Sequence, residues 1–241
     1  MRILATTFAF NERPYLPEWV RYYQNAGCEI MVLDNYSTDG TYEWLCDHKI
    51  RTGIIDTNET FNLKVLQAVL VNEIIKMKPD WVIYGGIDLY HSFPDDIHNT
   101  MKKADKGGYN VIEVQHFEAF NTGEEVKYPL TSNFFYMRKH GRLRMIGKMV
   151  KGFNIVADDV TNHNPKVYSS EGILVNYGMC KPKEARELTF ARRKKAWAEG
   201  MHRGWGTHYE PASKAQWIWD KNTLRDLRTL PEYELIKKTQ V

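Results

Sequence analysis

Residues 29–47 read EIMVLDNYSTDGTYEWLCD, and the parsing of this stretch decides the fold. EIMVLD is a short apolar run with β-branched members that closes on a carboxylate, Asp34, as a buried strand does. NYSTDG is a dense cluster of turn formers, and TYEWLCDHK then reads as a helix. Upstream, RILATTF (2–8) is a second buried strand broken by NERP. In YLPEWVRYYQNAG the apolar residues Leu16, Trp19, Val20 and Tyr23 fall at i, i+3, i+4 and i+7, with Gly27 as the stop. Downstream, GIIDT reads as a strand, NLKVLQAVLVNEIIKM as a long amphipathic helix ended by Pro79, and WVIYGG as another strand. Strand and helix alternate over about 85 residues, and parallel neighbours need such crossovers. An α/β fold is therefore expected, with a mainly parallel central sheet and helices on both faces.

In such sheets ligands sit beyond the carboxyl ends of the strands. Here that marks Phe8 to Glu12, Asp34 to Asp39, Asp56 to Asn58 and Gly86 to His91. The second half is less regular. PDDIHNTMKKADKGG predicts a helix and YNVIEVQHFEAF a strand. Strand candidates follow at 133–138, 144–150 and 171–177, then a charged helix from about 182 to 199. With no repeat or linker, a single domain is expected: a ligand-binding half over 1–92, a second half over 93–199 and a C-terminal extension over 200–241.

The composition is that of an ordinary globular chain of 241 residues, with a generous set of 7 Trp, 14 Tyr and 10 Phe. Those rings fill a core and can also line a pocket. The net charge is only +3, yet from Cys180 onward 14 Lys/Arg face 8 Asp/Glu. Such a basic tail suits an acidic partner, or is simply a solvated face. Three cysteines without CxxC spacing or a His cluster indicate neither a disulfide framework nor a zinc site. The N-terminus turns polar too early for a signal peptide, and nothing approaches the length of a membrane span. The sequence-level expectation is a cytoplasmic protein.

Two motifs carry a resemblance. FAFNERPYLPEWV contains Asn-Glu-x-x-Tyr-Leu-x-Glu-Trp (11–19), and VLDNYSTDGT contains Asp-Asn-x-Ser-x-Asp-Gly-Thr (34–41). Together, at this strand-helix-strand spacing, they resemble the opening of family-2-like glycosyltransferases of the GT-A, Rossmann-like fold. The resemblance runs over about residues 2–199 and is strongest over 2–45. It implies a nucleotide-diphosphate sugar as donor, UDP preferred, with Phe8, Asn11, Glu12, Asp34, Asn35 and Asp39 around base and ribose. Carboxylates can accept hydrogen bonds from a uracil N–H and from ribose hydroxyls. Lys64 and Gln67, early in the long helix, are placed for a phosphate or ribose contact, or are merely solvated.

YGGIDLYH (84–91) reads, taken alone, as a strand end followed by a turn. In the resembling enzymes this place holds Asp-x-Asp, whose last Asp helps bind a divalent metal, manganese or magnesium. Hard cations of this kind take oxygen ligands. Here the first position is Gly86 and the second is kept as Asp88. His91 and His163 are the further candidate ligands. Asn176 replaces a His near the family's closing segment, where a basic side chain from GILVNYGMCKPKEARELTFARRKKAW closes over the diphosphate or else faces solvent. The family inverts the anomeric centre and needs a general base. Asp159 is the first choice among Asp158, Asp159, His116 and Glu118, and His116 the second. The acceptor is expected to be a hydroxyl whose carrier, a glycan or a nucleic acid, the sequence does not identify. Gly86 and Asn176 leave open a nucleotide-sugar binder that has lost catalysis. The basic, aromatic C-terminal part leaves open a nucleic-acid acceptor carrying a modified base.

Overall fold

The structure, a computed structural model, describes residues 1–57, 62–120, 136–156, 159–182, 184–188, 191 and 225–239. The first half alternates as the sequence predicts: β1 (Ile3–Ala9), α1 (Leu16–Asn25), β2 (Glu29–Asp34), α2 (Thr41–Asp47), β3 (Arg51–Ile54), α3 (Leu63–Met77) and β4 (Trp81–Tyr84). Then come β5 (Leu89–Ser92), α4 (Ile97–Lys106), β6 (Val111–Phe120), β7 (Tyr136–Lys148), β8 (Asn154–Val156), β9 (Asp159–Thr161), β10 (Val167–Asn176), β11 (Arg225–Asp226) and α5 (Tyr233–Lys237).

The main sheet has the order β3-β2-β1-β4-β7-β6-β10-β5, with β11 paired to β7. Pairing is parallel across β3-β2-β1-β4 and between β6 and β10. It is antiparallel wherever β7, β5 or β11 takes part. The α/β sheet is as expected, with parallel pairing through β3-β2-β1-β4 and antiparallel pairs where the returning strands β5 and β7 enter.

Strand alternation splits the core into two layers. Ile3 and Ala5, Ile30 and Val32, and Trp81 and Ile83 face α1, α2, α4 and α5 through residues such as Trp19, Leu45, Met101 and Ile236. Leu4, Met31, Leu33, Val82 and Tyr84 face α3, through Leu66, Leu70 and Ile74, and the β8–β9 hairpin, through Ile155 and Val160. Helices therefore cover both faces. A strand covered on both sides carries no polar position, and all four residues of β4 are buried.

Local signals explain the helix ends. Leu16, Trp19, Val20 and Tyr23 form the buried stripe of α1. The Asn62 side chain accepts from the Val65 N–H at the start of α3, and Asp96 accepts from the Asn99 N–H at 2.7 Å at the start of α4.

Four expectations shift. The third strand is Arg51–Ile54, earlier than GIIDT. LYHS forms β5, paired with the end of β10, where only a turn was expected. The separate candidates at 133–138 and 144–150 join, from residue 136 on, in one strand, because β6 supplies a continuous partner with only an irregularity opposite Gln115 to Phe117. β10 begins at Val167 rather than at residue 171. The charged helix is described only at 184–188 and 191. Within the expected extension, Ile236 joins the main core and Thr239 meets the buried Tyr177 hydroxyl at 2.7 Å. Among the described residues no helix is long and apolar enough to cross a membrane.

Candidate active site at the carboxyl edge of the sheet

From β1 the chain winds to one side through β2 and β3, then returns to place β4 on the other side of β1. That reversal makes the carboxyl ends of β1 and β4 the topological switch point of the sheet, where α/β sheets hold ligands. The two motif loops meet there and lock together. The Asn11 N–H donates to Ser37 Oγ at 2.9 Å, and the Thr38 N–H donates to Asn11 Oδ1 at 2.8 Å. The Glu12 N–H donates to Thr41 Oγ1 at 3.1 Å, and the Arg13 N–H to Asp39 Oδ2 at 3.0 Å. Asp39 Oδ1 accepts from both the N–H and the hydroxyl of Thr41 at the start of α2. Asn11 and Asp39, expected at the nucleotide, thus direct these bonds at loop geometry. The backbone is held in left-handed conformations at Asn11 (φ 54°) and Tyr36 (φ 61°), which such cross-links must enforce. Tyr36 is 60 % exposed on this loop, an aromatic face at the switch point that sequence pattern alone does not single out.

Beneath the loop, Asp34 is 1 % exposed. Its Oδ1 accepts from the Ser37 N–H at 2.8 Å, while Oδ2 is buried and has no hydrogen-bond partner among the described residues. Burial is the main cause that raises its pKa, against the lowering effect of the Ser37 hydrogen bonds. Asn35 is buried beside it, its N–H donating to Ala9 O at 2.7 Å and its Oδ1 accepting from the Thr57 hydroxyl at 3.0 Å. The ends of β1, β2 and β3 are thereby tied in one row. Asn58, just beyond, lies outside the described residues.

On the β4 side, Asp88 meets Glu12 across a lysine. Lys181 Nζ lies 3.0 and 3.2 Å from the two Glu12 carboxylate oxygens and 3.4 Å from Asp88 Oδ2. It also sits 4.6 Å from the centre of the Tyr15 ring, within cation–π range. The lysine side chain is 8 % exposed and each carboxylate 23 %. Burial by itself lowers the Lys181 pKa, but the Glu12 and Asp88 charges outweigh it, and the net shift is upward.

The turn that delivers Lys181 is itself fastened. The Tyr177 N–H donates to Asp88 O at 2.8 Å, and Asn176 Oδ1 accepts from the Gly178 N–H at 2.8 Å. Asn176, in the place of the family's His, shapes this turn. A Cβ on Gly86 would lie 2.5 Å from Asp88 Oδ1, and one on Gly178 2.6 Å from Asp88 Oδ2. The carboxylate of Asp88 therefore lies between two bare glycine Cα atoms.

The other expected residues divide. Phe8 ends β1 edge-on to Tyr84, with centroids 6.0 Å apart. Lys64 is exposed in the first turn of α3. Asp159 stands at the turn end of the β8–β9 hairpin, opposite Val156, and its Oδ1 accepts from the Met145 N–H at 3.3 Å. Since Gly147 pairs with Val82 in antiparallel register, Met145 is level with Tyr84, and Asp159 lies toward the carboxyl edge. Asp158 lies outside the described residues.

His116 is 4 % exposed in mid-strand, in register with Leu174. That is an interior position rather than one at the switch point. His91 is buried in β5, its Nδ1 2.8 Å from the Tyr23 hydroxyl, and so belongs to the core. His163 packs against Gly152 just before β10, whereas Asp88 pairs with Tyr177 just after it. A ten-residue strand of about 30 Å separates them, so the structure does not bring His163 and Asp88 together. Among the described residues no group of three or more His, Cys, Asp or Glu converges to hold a metal ion. The aromatic residues of the basic tail, Trp205, Tyr209, Trp217 and Trp219, lie outside the described residues.

No protein-family model and no curated protein matches the chain. Among solved structures it is similar to S. aureus TarS 1–349 in complex with UDP, at 14 % identity and a TM-score of 0.40, over 56 % of this chain and 40 % of that one. The same protein in complex with UDP-GlcNAc gives 12 % identity and a TM-score of 0.39, over 56 % and 39 %. A phosphoribosylglycinamide formyltransferase from Bacillus halodurans gives 13 % identity and a TM-score of 0.30, over 91 % and 100 %. The chain thus spans about two fifths of the TarS chains it matches. Likenesses this distant leave the function to rest on the chain's own residues.

Proposed function

We propose that this chain is a glycosyltransferase that moves a sugar from a nucleoside-diphosphate donor, UDP preferred, to an acceptor hydroxyl by a single inverting displacement. The observation that carries the reading is the interlocking of the two motif loops at the switch between β1 and β4, directly above Asp34. The buried Asp34 Oδ2, which has no hydrogen-bond partner among the described residues, is an acceptor for which a uracil N–H or a ribose hydroxyl is a suitable donor. Tyr36 offers an exposed ring for stacking. In the displacement the acceptor oxygen bonds to the anomeric carbon as the bond from that carbon to the diphosphate oxygen breaks. The acceptor's proton passes to a general base, for which Asp159 is the candidate on the carboxyl side of the hairpin.

A divalent ion at Asp88 belongs to the family pattern, but the residues do not fit one. The inner oxygen of Asp88 and both oxygens of Glu12 already face an ammonium, and His163 lies at the other end of β10. No step is drawn through a metal.

The test pairs nucleotide binding with turnover. Calorimetry against nucleoside diphosphates should show UDP binding, and a panel of UDP-sugars should show UDP release. Asp159→Asn should lower turnover by about a hundredfold or more while leaving UDP affinity unchanged. Failure of every nucleotide to bind would refute the reading.

A further inference from the structure

The geometry points to Lys181 as the resident cation of the site: its ammonium fills the position between Glu12 and Asp88 that a divalent ion would otherwise take. The inference rests on the proposed glycosyltransferase reading for its meaning in catalysis, but its physical content stands on the side chains alone. Two carboxylates drawn from the ends of β1 and β4 face one point. Among the described residues both face the Lys181 Nζ, at 3.0 Å and 3.4 Å, whose side chain is 8 % exposed and backed by the Tyr15 ring. Oxygen ligands from separate strand ends around one buried positive charge are what a hard-cation site is made of. Here the charge arrives on a tether.

The tether is built for this place. The turn 177–181 is fixed to Asp88 through the Tyr177 N–H and closed by Asn176. The glycines at 86 and 178 clear room for the Asp88 carboxylate. A divalent ion entering the same point would have to displace a buried ammonium and leave it without partners, which is costly. An ammonium carries three N–H donors. The two Glu12 oxygens and Asp88 Oδ2 face these donors at 3.2, 3.0 and 3.4 Å, so an anionic oxygen of a bound ligand, such as the phosphate of a leaving nucleotide, would meet the ammonium's charge by sharing a donor with one of them. Its electrostatic contribution there is that of a fixed positive group facing developing negative charge.

The decisive probe is Mn2+ itself, followed by electron paramagnetic resonance of the free ion on the full chain, with no nucleotide present. Wild type should take up no Mn2+ at Asp88. Lys181→Met, which keeps the unbranched stem over Tyr15, should take up one Mn2+ per chain, and Lys181→Met with Asp88→Asn should lose it again. UDP affinity of wild type should change by less than about twofold between EDTA and Mn2+, whereas that of Lys181→Met should fall by about tenfold in EDTA and recover with Mn2+.

Stoichiometric Mn2+ uptake by wild type that Asp88→Asn abolishes would overturn the inference, as would a folded Lys181→Met protein that binds none. Should Lys181→Met fail to fold, the wild-type and Asp88→Asn titrations decide alone. Absence of any UDP binding would instead refute the glycosyltransferase reading, while the Mn2+ titrations still decide the role of Lys181.

Discussion

Replacing Lys181 by Met tests the centre of the site through stability as well as through ligands. The substitution keeps the stem but removes the ammonium that both Glu12 and Asp88 face. Removing one partner of a fully buried ion pair costs about 3–5 kcal/mol. The two carboxylate side chains here are each 23 % exposed, so water recovers part of that, and a loss of about 2–3 kcal/mol at neutral pH is expected. In a chain of this size that is a fall in melting temperature of about 5–10 °C. The pH dependence separates charge from packing. The folded-state pKa of Lys181 is raised, so its stabilising contribution is fully present below the unfolded lysine value of about 10.4. That contribution is lost as the pH rises through the higher folded value. Urea unfolding followed by tryptophan fluorescence at pH 7.5 and again above pH 11 should therefore show a gap between wild type and Lys181→Met that narrows in alkali. A gap below about 0.5 kcal/mol at neutral pH, or one that is unchanged in alkali, would show that the ammonium does not hold the site together.

Asp34→Asn should move stability and binding in opposite directions. The folded-state pKa of Asp34 is raised, chiefly by burial, so its ionised form is a cost to the fold at neutral pH that disappears as the pH falls below the unfolded carboxylate value. An amide that still accepts from the Ser37 N–H should leave the free protein at least as stable by urea unfolding, while calorimetry shows UDP binding weakened; weaker stability with intact binding would contradict the role given to Oδ2. Asp39→Ala removes the acceptor for the Arg13 N–H and for Thr41. It should cost about 1–2 kcal/mol in urea and weaken UDP binding through the loop, whereas unchanged affinity would detach the interlocked loops from the ligand.

What was legible in the sequence was periodic. α1 and α3 declare themselves because Leu16, Trp19, Val20 and Tyr23, and then Leu66, Leu70 and Ile74, return to one helical face. β5 does not, because LYHS is buried at every position and follows a Gly-Gly turn, so neither alternation nor length marks it as a strand. The two motifs were legible as strings, but the structure gives their polar side chains a task within the loops. Asn11 and Asp39 find partners 26 or 27 residues away, and a motif read along one chain cannot show that its polar side chains face another stretch of the same chain. Lys181 was hidden most thoroughly. It sits 169 residues from Glu12, inside a basic run where charge pattern predicts solvated side chains.

Gly86 and Lys181 then become one feature rather than two departures from a pattern. The Asp88 carboxylate reaches Lys181 only because it lies back between the Cα atoms of Gly86 and Gly178, at distances of 2.5 and 2.6 Å from where their Cβ atoms would be. A methyl group at 86 pushes the carboxylate off that line. A carboxylate there, which would restore Asp-x-Asp, adds a third negative charge beside Glu12 and Asp88 around the one ammonium that the described residues place there. Gly86→Ala should therefore cost about 1–3 kcal/mol. Part of that cost is the weakened contact with Lys181, so it should shrink by about 0.5 kcal/mol or more when Lys181→Met is already present. A double-mutant cycle in urea reads this coupling directly. Strict additivity would mean that the bare glycine serves the turn alone, and the missing carboxylate and the buried ammonium would have to be explained separately.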